Sequence, residues 1–197
     1  MNQTNKLSDL KILVIDNYDS FTFNLVQLIG KFTQNIIIKR NDKITLEEVA
    51  ELNPDKIVIS PGPGVPKDSG ISVDIIKNIG KHTPLLGVCL GHQTIGEVFG
   101  AEVINAPVLM HGKSSEVVHS GNGIFKDVTK NFSAGRYHSL ILNSESIPEV
   151  FEVTSRTKDK IIMGIRHKKY PIEGIQFHPE SILTPEGEII IKNWLEQ

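Results

Sequence analysis

Cysteine is almost missing from this chain: one thiol, Cys89, in 197 residues. That excludes an internal disulfide and any metal site built on two thiolates, and it predicts a reducing setting. No apolar run approaches the roughly 18 residues of a membrane-spanning helix, so no membrane association is expected. Residues 1–10 are polar, without an apolar h-region and without arginine, so a signal peptide is not predicted. The expected location is the cytoplasm, or an organelle matrix or stroma if an organelle encodes the chain. An excess of one charge is also lacking. With 21 Lys and Arg against 23 Asp and Glu, the net charge of −2 gives no basic nucleic-acid surface and no acidic tail. What is present is 39% hydrophobic residues in a length suited to one domain. With no repeat and no convincing linker, we expect one domain over 11–197, behind a polar N-terminal extension over 1–10.

Short apolar runs alternate with helical spacings in the first half. K-I-L-V-I at 11–15, 35–38, K-I-V-I-S at 56–60 and P-L-L-G-V at 84–88 read as strands. Helices are expected over 20–32 with Ser20 as cap, over 45–52 from a T-L-E-E capping box, over 71–79 and over 92–99. This alternation predicts an α/β fold: an open, mostly parallel, doubly wound sheet. After Gly100, strand-like runs at 116–119, 152–156, 161–167 and 172–177 predict antiparallel strands, added to the same sheet or packed as a small second one. Thr184-Pro185 should open a last helix burying Ile189, Ile190, Trp194 and Leu195.

G-V-C-L-G-H-Q at 87–93 places Cys89 between Gly87 and Gly91, the spacing of a nucleophile elbow. A sharp strand-to-helix turn needs neighbours without Cβ. It would carry the sulfur to the carboxyl edge of the sheet, where such folds bind ligands. The helix start beneath it favours thiolate, and the Leu90 amide is free for an oxyanion. The bland alternative is a buried structural cysteine. Among seven histidines, His178 in Q-F-H-P-E is the candidate base, with Glu180 two residues on to orient it. Its alternative is a histidine at a strand end. His82, His119 and His167 read as solvated, and His92 as an ordinary first-turn residue. S-P-G-P-G-V-P at 60–66 should share the carboxyl edge with Cys89. Its prolines lack N–H groups, leaving Gly62 and Gly64 as donors, and it is no phosphate loop, since G-K-[ST] is absent.

These three elements together resemble a class I (triad-type) glutamine amidotransferase domain over roughly residues 11–195. The likeness includes D-N-Y-D-S-F-T at 16–22, K-R-N-D at 39–42, M-H-G-K at 110–113 and R-Y-H-S-L at 136–140. Within that family the chain is similar to the small glutaminase subunits of anthranilate synthase and aminodeoxychorismate synthase. The resemblance implies catalysis by Cys89, His178 and Glu180, with oxyanion amides from Gly62 and Leu90. It implies a glutamine site of Gly62, Pro63, Gly64, Gln93, Ser139 and Leu140. It implies no metal or other cofactor in this chain. As partner it implies a chorismate-using synthase subunit, with Mg²⁺ on that partner. Anthranilate synthesis stands ahead of the aminodeoxychorismate branch, or service to both, although I-M-G-I-R-H at 162–167 leans the other way. The 16–22 segment reads as a turn and helix cap facing the site or the partner, and 110–113 as a loop towards the partner. Competing readings are a free-standing hydrolase of γ-glutamyl peptides and a non-catalytic binding module on the same fold.

Overall fold

The computed structural model describes residues 6–197. In chain order the strands are β1 (Ile12–Asp16), β2 (Ile36–Arg40), β3 (Lys56–Ile59), β4 (Leu85–Val88), β5 (Val103–Asn105), β6 (Lys113–His119), β7 (Asn131–Arg136), β8 (Leu140–Leu142), β9 (Phe151–Thr157), β10 (Ile162–His167) and β11 (Ile172–Ile175). The helices are α1 (Thr22–Ile29), α2 (Leu46–Leu52), α3 (Ser72–Asn78), α4 (Leu90–Val98) and α5 (Gly187–Glu196).

Every residue of β1 is buried, and they divide by parity: Ile12 and Val14 join one apolar cluster, Leu13 and Ile15 another. A strand covered on both faces must be apolar throughout, which is why K-I-L-V-I shows no alternation. Leu25 and Ile29 of α1, with Ile190, Ile191 and Trp194 of α5, share the first cluster. Val49 of α2, Ile75 and Ile76 of α3, and Ile95 of α4 share the second. The sheet is therefore wound on both faces.

Nine strands form one sheet in the order β2-β1-β3-β4-β11-β10-β9-β6-β7. From β2 to β11 the pairings are parallel; from β11 to β7 they are antiparallel. β5 and β8 make a separate antiparallel pair. Both options left open for the second half are thus realised. The site follows from this order: β1, β3, β4 and β11 are neighbours, and all deliver their carboxyl ends to one edge.

Several local expectations need correction. Ser20 does not cap α1; the Asp19 carboxylate accepts from Phe21 N at 2.7 Å, and the helix stops at Ile29. Thr184 does not cap α5, which starts at Gly187. Its hydroxyl donates to His178 O at 2.6 Å and accepts from Gly135 N at 2.8 Å. Ile191, not Ile189, lies on the buried face of that helix. His167 is buried, its ring among Phe99, Phe151 and Tyr170, with Nδ1 accepting from Lys169 N and Tyr170 N. The extension expected over 1–10 lies partly outside the described residues. Leu7–Asp9 form a 3₁₀ turn and Leu10 is buried.

Candidate active site

Between β4 and α4 the chain reverses at Cys89, held at φ 52° and ψ −99°, a conformation that costs free energy for any residue with a Cβ. The two glycines make the turn possible by close approach. A Cβ on Gly87 would lie 2.5 Å from the Gly91 carbonyl, and one on Gly91 would lie 2.6 Å from Ile59 O. The elbow is therefore wedged between its own helix and β3. Leu90 opens α4, where a first-turn N–H has no acceptor within the helix.

Beyond β11 the chain brings His178 to the same edge. Its Nδ1 lies 2.7 Å from Glu180 Oε1, and the two side chains are 3% and 0% exposed. A carboxylate against Nδ1 fixes the tautomer, leaving Nε2 for chemistry. Nε2 is buried and has no aligned hydrogen-bond partner among the described residues. Burial disfavours charge on this imidazole. The nearby Cys89 sulfur and Glu180 carboxylate more than offset it, and its pKa is pushed up to about 10. The ring is clamped by aromatic edges, Tyr137 at 4.9 Å and Phe21 at 5.5 Å between centroids. Its backbone N donates to Gly135 O of β7 at 3.0 Å.

A cavity of about 150 Å³ opens at Cys89, lined by Gly62, Pro63, Gly64, Gln93, Tyr137, His138, Ser139 and Leu140. All six residues expected to bind glutamine line it. The volume suits a small polar metabolite and falls below the roughly 300–1,000 Å³ of larger ligand sites. Gly62 presses on Asn17 and Leu90, where a Cβ would meet side chains at 2.5 and 2.8 Å. Asn17 ties the loop down: its N donates to Ser60 Oγ and its Nδ2 to Ser60 O, both at 2.9 Å. The 16–22 segment is a turn, with Asp16 Oδ1 accepting from Tyr18 N at 2.9 Å and Thr22 Oγ1 at 2.8 Å.

Four residues at the site are not evident from the sequence. Phe21 and Tyr137 flank His178. His138 donates from Nδ1 to Leu140 O at 2.9 Å and accepts at Nε2 from Arg136 Nε at 3.1 Å. Burial, with the neighbouring Arg136 charge, lowers its pKa to about 3. Gln176, fully buried, donates from Nε2 to Cys89 Sγ at 3.5 Å. A signal was within reach, since Gln176 sits in Q-F-H-P-E and Tyr137 and His138 in R-Y-H-S-L. Gln93 commits its amide nitrogen to Leu140 O at 3.0 Å and Gln176 Oε1 at 3.1 Å, leaving its oxygen for a ligand. His92 lies in the first turn of α4, as expected, but it does so inside the protein. It is fully buried, both ring nitrogens lack a partner among the described residues, and burial lowers its pKa to about 4.

The family model for glutamine amidotransferase class-I matches residues 13–197. Anthranilate synthase component 2 of Cyanophora paradoxa is 56% identical, over 93% of this chain and 97% of that protein. Aminodeoxychorismate/anthranilate synthase component 2 of Bacillus subtilis is 51% identical, over 94% and 95%. A crystal structure from Thermoplasma acidophilum, of a protein assigned to GMP synthase, superimposes with a TM-score of 0.81 at 27% identity, over 94% of this chain and 92% of that one. A strained cysteine elbow, a histidine–carboxylate pair beside it and a family match spanning both lead to one conclusion: the chain belongs to the class-I glutamine amidotransferases.

Proposed function

We propose that this chain is a glutaminase subunit that releases ammonia from L-glutamine and passes it to a chorismate-using synthase, with anthranilate synthesis the first choice of branch. The observation that carries the reading is the 2.7 Å His178–Glu180 pair beside the strained Cys89, at the mouth of a cavity sized for one amino acid. The 56% relative bears the anthranilate name, and the 51% relative bears both names, which keeps aminodeoxychorismate synthesis as the second branch.

In this mechanism Cys89 Sγ attacks the side-chain amide carbon of glutamine, and the tetrahedral oxyanion is met by the amides of Gly62 and Leu90. His178, whose pKa is raised by the neighbouring Cys89 and Glu180 side chains, gives its proton to the departing nitrogen, and ammonia leaves a γ-glutamyl thioester. Water then attacks the thioester, His178 takes a proton from it, the C–S bond breaks to return the Cys89 thiolate, and the new carboxylic acid leaves as glutamate, its proton going to solvent. The sum is glutamine plus water giving glutamate, ammonia and a proton. Gly62, Pro63, Gly64, Gln93, Ser139 and Leu140 hold the substrate, Gln93 through its free oxygen. None of these steps draws on a metal or an organic cofactor.

Ammonia in neutral water is mostly ammonium and is not nucleophilic, so its release is useful only where it travels shielded to an acceptor. The acceptor then belongs on a partner protein. The test is Cys89→Ser in the complex. Glutamine-dependent product formation should vanish while synthesis from added ammonium at high pH survives. Equal loss of both activities in a complex that still assembles would overturn the division of labour. Glutamate release from γ-glutamyl peptides by the isolated chain, with none from glutamine in the complex, would favour the free-standing hydrolase.

A further inference from the structure

We propose that Gln176 is a positioning residue for the nucleophile: its side-chain amide aims an N–H at Cys89 Sγ and stabilises the thiolate. The inference rests on Cys89 being the nucleophile.

The direction of that amide follows from the groups around it. A backbone carbonyl can only accept a hydrogen bond. The Gln93 atom 3.0 Å from Leu140 O is therefore its nitrogen. The same nitrogen faces Gln176 at 3.1 Å, so Gln176 presents its oxygen there. Its nitrogen is left facing the sulfur, at 3.5 Å. The chain of assignments starts from a fixed point, because Leu140 O is also held by His138 Nδ1 at 2.9 Å. The Gln176 backbone is anchored as well, its N donating to Met163 O at 2.9 Å.

Burial gives the contact its chemical consequence. Gln176 has no exposed surface, so water cannot replace the sulfur as acceptor for its N–H. A neutral thiol is a weak acceptor, whereas a thiolate makes a charge-assisted bond of about twice the strength. The bond therefore favours the anion. His178 and Gln176 act differently. The imidazolium carries a proton that it must deliver, while the amide cannot protonate sulfur. It steadies the anion before attack without competing as an acid.

The test is the rate of Cys89 alkylation by iodoacetamide as a function of pH, on the full chain. Cys89 is the sole cysteine, so no other thiol contributes. Removing one hydrogen bond to the charged form in Gln176→Met should move the midpoint of the profile up by roughly one unit. On the acid limb the thiolate fraction falls about tenfold, but each thiolate becomes about threefold more nucleophilic, a net loss of about threefold. On the alkaline limb only the second effect remains, and the variant should react about threefold faster. The two profiles cross. Gln176→Glu, nearly isosteric and still able to accept from Gln93, turns an oxygen towards the sulfur and should separate the limbs further in the same sense. It also covers the case in which the methionine variant fails to fold. Profiles that coincide with the wild type, or that lie below it by one factor on both limbs, would reduce Gln176 to packing and overturn the proposal. Alkylation needs neither glutamine nor a partner. A wild-type chain that releases no glutamate with its synthase would sink the glutaminase reading through a separate measurement.

Discussion

Glu180 lies 2.7 Å from His178 Nδ1 with neither side chain open to water, so its charge acts on the imidazole nearly unscreened. Glu180→Gln should leave the fold intact and lower glutamine turnover by roughly 10²-fold, within the range of general acid–base contributions. The loss should be smaller than in Cys89→Ala. Its pH profile should change as well. The pKa of His178 is held up at about 10 partly by this carboxylate, so the alkaline limb should move to lower pH when the charge is removed. Steady-state glutamate release across pH checks both. At this scale the sequence is most legible where a motif carries its own chemistry, as at Cys89, His178 and the Gly62–Gly64 loop. His167 is deceptive because Lys168 and Lys169 suggest solvent, whereas the rings that bury it come from Phe99 and Phe151, far along the chain. Gln176 lies within a motif, yet nothing local announces its role, because its partner lies 87 positions away.

Elements show the same division between local and distant causes. The α2 capping box is readable because both halves are local: Thr45 Oγ1 accepts from Glu48 N, and Glu48 reaches back to Thr45 N. Thr45→Ala should cost about 1 kcal/mol in denaturant unfolding and leave glutamate release unchanged. Gly87→Ala should behave differently. Its new Cβ would meet the Gly91 backbone at 2.5 Å, and backbone on a packed helix cannot yield cheaply. A loss of about 1–3 kcal/mol is expected, together with a fall in turnover, since the displaced element carries Cys89, the proposed nucleophile. An alanine variant with wild-type stability and turnover would show that the elbow has slack. The start of α5 is not readable, because Thr184 is a good cap by type but its hydroxyl is taken by His178 O and Gly135 N. Asn131–Arg136, read N-F-S-A-G-R, has too few β-branched residues to announce a strand; pairing with β6 makes it one.

For the whole molecule, buried histidines set the response to acid. His92 and His138 have folded pKa values of about 4 and 3, below the usual 6.5, because burial opposes their charge. The unfolded chain therefore binds more protons between these limits, and stability is full above about pH 6.5 and lost as pH falls towards 4. His178 is shifted the other way, so its contribution is intact in that window, declines as pH rises above about 6.5 and is gone above about 10. His92→Met removes two unpartnered buried nitrogens and one of the acid-sensitive groups. Its melting temperature should exceed that of the wild type by more at pH 5 than at pH 8; an equal difference at both would remove His92 from the account. A second expectation concerns the partner. Asn17 joins the 16–22 turn to Ser60, while Met110 N and Ala106 N donate to His138 O and Ser139 O on the cavity wall. Exposed Tyr18, Phe23, Val108 and Leu109 lie on or beside these segments. Docking there would reach the donors around Cys89, and one misplaced oxyanion donor costs on the order of 10²–10³ in rate. Glutamate release at saturating glutamine should accordingly rise by roughly one to three orders of magnitude when chorismate is added together with the synthase partner. Full activity in the isolated chain would mean a fixed oxyanion hole.

The sheet order has a temporal consequence. β11 sits at the centre of the nine strands, between β4 and β10, yet it is the last to be made. A ribosome emits Cys89 and its elbow long before it emits His178. During that interval Cys89 exists without His178, and the seam beside β4 stands unpaired until Ile172–Ile175 arrives to fill it. Completion of the sheet and the arrival of His178 beside Cys89 are then one event, and a chain truncated before β11 would expose two strand edges in the middle of its core.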